Sequence, residues 1–283
     1  KLSDWKNTSN GDTALLIDGA RRVGKSYIAE SFAKENYKSY ILIDFNKANK
    51  DVCDLFINYL DDLDTLFMYL SSYYNTKLYK RESVIIFDEV QMFPKARAAI
   101  KYLVADARYD YIETGSLMSI RKNVKDITIP SEERHIRMYP MDFEEFLWAK
   151  GYKKEQIDSL YDKMFNITPL SHIEFNVMLE NFREYMVLGG MPAIVDSFVK
   201  NKNYSGTLKM QKQILLDYEE DITKYAKGLD KTKILSVYRK IPAFLGKDNK
   251  KFQISKIEKG ARRREYVGTV DWLISAGIVN ACY

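Results

Sequence analysis

Eight residues constrain this chain more than any others. Gly19-Ala20-Arg21-Arg22-Val23-Gly24-Lys25-Ser26 follow the apolar stretch Ala14-Leu15-Leu16-Ile17 and precede a helix-compatible segment, Tyr27 to Ala33. G-x-x-x-x-G-K-S at a strand-to-helix junction is the pattern of a phosphate-binding loop. Gly19 and Gly24 let the backbone curl so that successive N–H groups converge on a polyphosphate. Lys25 can reach the β- and γ-phosphates, the Ser26 hydroxyl can ligate Mg²⁺, and the helix N-terminus adds a favourable dipole. The expected nucleotide-contacting set is therefore Gly19, Ala20, Arg21, Arg22, Val23, Gly24, Lys25, Ser26 and Tyr27, which opens the helix. Two arginines inside such a loop are unusual: one is placed to touch phosphate or the acidic strand ends, and at least one is expected to face solvent.

A second element lies 63 residues beyond Lys25, where the apolar run Val84-Ile85-Ile86-Phe87 ends in Asp88-Glu89. This reads as a Walker B strand, with Asp88 holding Mg²⁺ beside Ser26 and Glu89 polarising the attacking water. The pair makes hydrolysis a better reading than passive binding, and a base next to the metal ligand favours the additional-strand ATPases over GTPases. No guanine-reading Asn-Lys-x-Asp follows; Asn46-Lys47-Ala48-Asn49 lacks the final Asp and falls too early. The next strand ends in Thr114-Gly115-Ser116 and is expected between the P-loop strand and the Asp-Glu strand. Thr114 or Ser116 could there orient the lytic water, and the sequence does not choose between them. Arg134, with Arg137 nearby, is the candidate arginine finger, acting on a neighbouring subunit in an oligomer. The catalytic set is Lys25, Glu89 and Arg134.

Strand-like runs at 13–18, 40–44, 83–87, 109–113 and 135–139 alternate with helical stretches, which implies a parallel sheet covered by helices on both faces. From about Asp142 the pattern turns helical, with helices expected from Phe143 and over 154–164, 171–189 and 208–226, and a turn at Gly189-Gly190-Met191-Pro192. At the C-terminal end Ser255-Lys256-Ile257-Glu258 matches a capping box. A helix is expected over 263–276, with Tyr266, Val270 and Leu273 on one face, then a strand from Ile278-Val279: together a winged helix-turn-helix. The division expected is an ATPase core over 1–141, a helical lid over 142–230 and the winged helix over 231–283.

Of the net charge of +5, residues 231–283 carry 12 Lys and Arg against 4 Asp and Glu, so the basic excess belongs to that segment. It reads either as a solvated surface or as one for nucleic acid or an acidic partner. Two cysteines, Cys53 and Cys282, suit a reducing compartment, and His135 and His172 lack metal-ligand companions. No apolar run approaches a membrane span and no signal peptide opens the chain, so a cytoplasmic protein is expected. The chain begins at Lys1 without methionine and stops at Tyr283 just after an apolar segment, which reads as a fragment of a longer protein.

Five motifs in order carry a resemblance: residues 19–26, Phe87-Asp88-Glu89-Val90-Gln91, Thr114-Gly115-Ser116, Tyr139-Pro140-Met141-Asp142-Phe143-Glu144-Glu145-Phe146 and Leu188-Gly189-Gly190-Met191-Pro192. Nearly the whole chain resembles the prokaryotic AAA-type ATPases that carry, beyond a winged helix, a C-terminal domain of unknown function with a nuclease-like fold. The resemblance implies an ATPase core, a helical lid, a winged helix ending near Tyr283, and a nuclease-like domain absent here. This chain has Glu133-Arg134 where the family often has Gly-Arg. The leading functional reading is a Mg²⁺-dependent ATP hydrolase, or an ATP-driven switch coupling nucleotide state to the lid and winged helix. A second is a nucleotide-regulated DNA-binding module, resting on Arg262-Arg263-Arg264 and the basic segment. A third, weaker reading is a P-loop small-molecule kinase, for which no acceptor site is visible. Expected partners are ATP, DNA under the second reading, and further copies of the chain, with no membrane.

Overall fold

The computed structural model describes residues 1–116, 130–226, 231–249, 252–257, 262–266 and 268–281. They form two compact units, one of residues 1–138 with 221–283 and one of residues 139–220.

The first unit is built on a parallel sheet of β1 (Ala14–Gly19), β2 (Ser39–Asp44), β3 (Ser83–Asp88), β4 (Asp110–Ser116) and β5 (Glu133–Met138), in the order β2-β3-β4-β1-β5. β4 lies between β1 and β3, where the sequence placed it. The three central strands are buried along their whole length; β1 and β3 read as near-continuous apolar runs, β4 buries Asp110, Glu113 and Thr114 as well, and the edge strands β2 and β5 are partly exposed.

The two-residue period of a strand sorts side chains to two layers. Leu16, Ile41, Ile43, Ile85, Phe87 and Tyr111 join a core with α3 (Lys50–Asn58), α4 (Leu63–Tyr73) and α5 (Pro94–Asp106). Leu15, Ile17, Val84, Ile86 and Ile112 face a core holding Trp5 of α1 (Leu2–Ser9) and Ala29, Phe32 and Ala33 of α2 (Lys25–Asn36). The register Gly19↔Ser116, Gly19↔Met138 and Asp44↔Asp88 aligns the carboxyl ends of all five strands at one edge. In open α/β sheets that edge is where ligands bind.

The second unit is helical: α6 (Phe143–Ala149), α7 (Lys154–Phe165), α8 (His172–Leu188) and α9 (Pro192–Asn201), with most of α10 (Thr207–Tyr225). Capping boxes at Asp142/Glu145 and Ser171/Glu174 start α6 and α8, each satisfying two orphan amides. Two of the sequence motifs meet here. Met141 N donates to Gly190 O at 2.7 Å, and Tyr185 Oη donates to Met141 O at 2.9 Å. A Cβ at Gly190 would stand 2.0 Å from Met141 O, so glycine is needed for that approach. The sequence marks only the turn over 189–192 and no helix over 193–201, although Pro192 at the first position of α9 is a start signal.

The last turn of α10 joins the C-terminal core. Ile222 and Ala226 pack with Ile234 and Val237 of α11 (Lys231–Leu245), and with Ile257, Tyr266 and Leu273. The helix expected over 263–276 is two pieces, a 3₁₀ turn over Arg263–Tyr266 and α12 (Thr269–Ser275). Gly268, at φ 78°, interrupts it, because one left-handed residue ends helical propagation. Ile278-Val279 is not a strand: Ile278 N donates to Leu273 O at 3.1 Å as the chain leaves α12. Ser255 lies in a 3₁₀ turn over Ile254–Lys256, while Glu258, its expected capping partner, lies outside the described residues. Among the described residues of 231–283 there is no β-strand, so no wing is seen among them. Nor is any described helix long and apolar enough to cross a membrane.

Candidate active site

The P-loop turns from β1 into α2 over residues 20–24, with Arg22 at φ 66° and Gly24 at φ 97°. Ala20 and Val23 are buried beneath it, while Arg21, Arg22 and Tyr27 are exposed. Gly19 sits where β1 meets β5: a Cβ there would lie 2.3 Å from Met138 O. Gly19→Ala is therefore expected to pry the strands apart at the loop and cost about 1–3 kcal/mol of stability, measured by denaturant unfolding.

Lys25 is 5% exposed and donates through Nζ to Ala20 O at 2.8 Å and Gly19 O at 3.4 Å, which sets its ammonium inside the curl of the loop. Burial pulls its pKa below the ordinary lysine value, against the charges of Glu89, Asp88 and Asp18.

Ser26 Oγ donates to Asp88 Oδ1 at 2.6 Å, joining the first turn of α2 to the end of β3. The same carboxylate oxygen accepts from Thr114 Oγ1, a fully buried hydroxyl on β4. Thr114 Oγ1 in turn accepts from Glu89 N at 3.2 Å. One hydroxyl thus ties the metal-ligand candidate to the backbone of the base candidate, which is possible only because β4 runs beside β3. Glu89 itself takes the left-handed conformation, φ 53° and ψ 46°, at the strand's end. A non-glycine residue there carries strain that surrounding contacts must overcome. Its Oε2 accepts from Gln91 Nε2, and Gln91 is buried. The sequence assigned Gln91 no role; the signal was its place two residues after an Asp-Glu pair.

Ser116 is buried at the end of β4, opposite Gly19 in the ladder. Arg21 Nη1 forms an ion pair with Asp221 Oδ1 of α10 at 3.2 Å. Arg134 is not brought to the loop of its own chain. It pairs in register with Leu15, near the start of β1, and donates to Thr8 Oγ1 at 3.0 Å and Asp4 Oδ2 at 3.1 Å on α1. Arg137 lies closer, donating to Asp18 Oδ1 at 3.3 Å.

Behind the site, between β4, β5 and α5, lies a buried charge cluster the sequence reading missed. Arg97 holds Glu133 through two bonds, Nε–Oε1 at 2.9 Å and Nη2–Oε2 at 2.7 Å, and both side chains are almost wholly buried. His135 Nε2 stands 3.2 Å from Glu133 Oε2. Glu113, fully buried, faces this pair; burial, reinforced by the Glu133 charge, pushes its pKa well above the carboxylate range. Burial pushes Glu133 the same way, but Arg97 and His135 outweigh it and hold Glu133 below its ordinary value.

Among the described residues no three His, Cys, Asp or Glu cluster as a self-contained metal site. Mg²⁺ bound with a nucleotide needs fewer protein ligands, since phosphates and water complete its octahedron. Ser26 and Asp88, two oxygens 2.6 Å apart at the mouth of the loop, fit that requirement.

Residues 11–147 match a family model described as an AAA domain, and residues 179–283 match one described as a domain of unknown function. No curated protein matches the chain. Among solved structures it is similar to the Walker-type ATPase PABY2304 of Pyrococcus abyssi, at 16% identity and TM-score 0.49, over 97% of this chain and 88% of that one. It is also similar to AMPPCP-bound DnaA from Aquifex aeolicus, at 12% identity and TM-score 0.38, over 97% and 86%. The RuvB Holliday junction branch migration motor of Thermotoga maritima aligns at 12% identity and TM-score 0.36, over 99% and 86%. The matched residues 11–147 hold the curled Gly-x-x-x-x-Gly-Lys-Ser loop and the Ser26, Asp88 and Thr114 side chains that converge beside it, so this part of the chain is similar to AAA domains.

Proposed function

We propose that this chain binds Mg·ATP at residues 19–27 and hydrolyses it, and that nucleotide state positions the helical unit and the C-terminal segment. The observation that carries the reading is the 2.6 Å bond between Ser26 Oγ and Asp88 Oδ1, which joins two motifs 62 residues apart. The position of β4 between β1 and β3 supports the additional-strand branch.

In this reading the amides of residues 20–26 cradle the phosphates, and Lys25 swings from the Ala20 carbonyl to a β,γ oxygen. Ser26 and Asp88 would hold the metal ion, which would supply positive charge against the polyphosphate. Glu89 accepts a proton from the attacking water, with Gln91 and the Thr114 hydroxyl fixing its place. Arg134, bound to α1 within its own chain, serves a neighbouring copy if it serves as a finger. The C-terminal segment keeps the winged-helix and DNA-binding readings as proposals: among its described residues there is no strand, and Arg263 and Arg264 lie in a 3₁₀ turn.

Phosphate release by the purified protein, with and without Mg²⁺ and with no acceptor added, tests the activity. Lys25→Ala removes a charge-assisted donor from a buried loop, worth about 1.5–3 kcal/mol for a bond to a charged group. It is expected to weaken ATP binding roughly 10- to 100-fold. Wild-type affinity in that variant, or no Mg²⁺-dependent phosphate release, would sink the reading.

A further inference from the structure

Arg21 is a cation in the phosphate loop that forms an ion pair outside that loop. Its guanidinium is 48% exposed and reaches Asp221 Oδ1 at 3.2 Å, across 200 residues of sequence. Asp221 is the opposite kind of group, a carboxylate only 10% exposed. The exposed member of such a pair redirects at little cost, whereas a buried carboxylate depends on the cations it holds. The position of Asp221 matters as much as its charge. The next residue, Ile222, is fully buried in the C-terminal core with Ile234, Val237 and Leu273.

The phosphate end of the contact is equally constrained. Arg21 follows Ala20, whose carbonyl accepts from Lys25, and the Arg21 charge is close enough to disfavour the Lys25 ammonium. Two cations at one loop are both attracted to a polyphosphate, an anion of higher charge than a single carboxylate.

We propose that Asp221 is a positioning residue of the nucleotide site, competing with the bound polyphosphate for the Arg21 guanidinium and so transmitting nucleotide state into α10 and the C-terminal core. This rests on the nucleotide reading above. It names the route by which that site is read. Because Asp221 and polyphosphate share one cation, each opposes the other, and the coupling is reciprocal.

The test measures Mg·ATP and Mg·ADP affinity by calorimetry, with hydrogen exchange of the amides in α10 and α12, on the whole chain. Asp221→Asn keeps the shape and removes the competing charge. It is expected to tighten ATP binding roughly 2- to 5-fold, the range of a partly exposed pair. It should also abolish the ATP-induced change in exchange at residues 207–225 and 269–275. Arg21→Ala is expected to weaken ATP binding by a similar factor and to abolish the same change, and Asp221→Asn should add nothing on top of it. Arg21 is exposed, so its variant keeps the question answerable if Asp221→Asn does not fold. ATP affinity unaltered by Asp221→Asn, or an exchange response retained in Arg21→Ala, would overturn the coupling alone. A wild-type chain that binds no ATP would overturn the nucleotide reading and this inference together.

Discussion

Glu89→Gln is expected to leave Mg·ATP binding near wild type and to slow phosphate release by about 10²–10⁴-fold, the usual share of a positioned general base. The substitution is nearly isosteric. Glu89 N can still donate to Thr114 Oγ1, and the Asp88 carboxylate keeps both its hydroxyl donors, Ser26 and Thr114. What is lost is the proton acceptor. The left-handed backbone at Glu89 is set by the end of β3 and by Thr114, so glutamine inherits the same strain. Equilibrium binding of a fluorescent ATP analogue and phosphate release, measured on one preparation, separate the two effects. Turnover within a few fold of wild type would remove Glu89 as the base; affinity lost together with turnover would make it a binding residue.

The second large effect concerns stability. Arg97→Ala is expected to destabilise the fold by about 3–5 kcal/mol, since removing one member of a buried pair leaves the other as an uncompensated charge. Here the charge stranded is Glu133, with Glu113 beside it, both removed from solvent and served otherwise by a half-exposed His135. Denaturant midpoints at constant m-value check this.

The same cluster fixes the sign of the pH dependence. Glu113 binds its proton more tightly in the folded chain than in the unfolded one. Unfolding above the ordinary carboxylate range therefore releases a proton, and stability falls as pH rises through that interval. Glu133 is shifted the other way, so its contribution is present at neutral pH and lost as pH falls through the acid range. Glu113→Gln is expected to flatten the decline on the alkaline side and leave the acid-side loss in place. A midpoint that falls as steeply as wild type toward alkaline pH would mean that Glu113 is already ionised.

The P-loop and the Asp-Glu strand were legible in the sequence because local rules write them. Apolar runs of strand length end in residues whose spacing is fixed by a tight turn, and parallel topology then brings the ends to one edge. The place of β4 between the P-loop strand and the Asp-Glu strand was legible too, and with it that of Thr114 near Asp88. Asp221 was not legible, since no periodicity relates a loop arginine to a helix 200 residues later. Nor was the burial of Glu113: its neighbours Tyr111 and Ile112 marked a strand, and only the approach of Arg97 and Glu133 shows where the acid goes. At the C-terminal end the apolar spacing of Tyr266, Val270 and Leu273 suggested one helix. The backbone breaks at Gly268, where freedom to adopt positive φ outweighed the periodicity.

The first unit is discontinuous in sequence, leaving off at Met138 and resuming at Asp221. During synthesis the phosphate loop therefore emerges long before the carboxylate that holds its arginine. At about 5–20 residues per second the delay between Arg21 and Asp221 is roughly 10–40 seconds. Sheet and loop can form in that interval, but the Arg21–Asp221 pair cannot. Under the proposed function, a nascent chain passes through a stage in which it can hold nucleotide and has nothing yet to report it to.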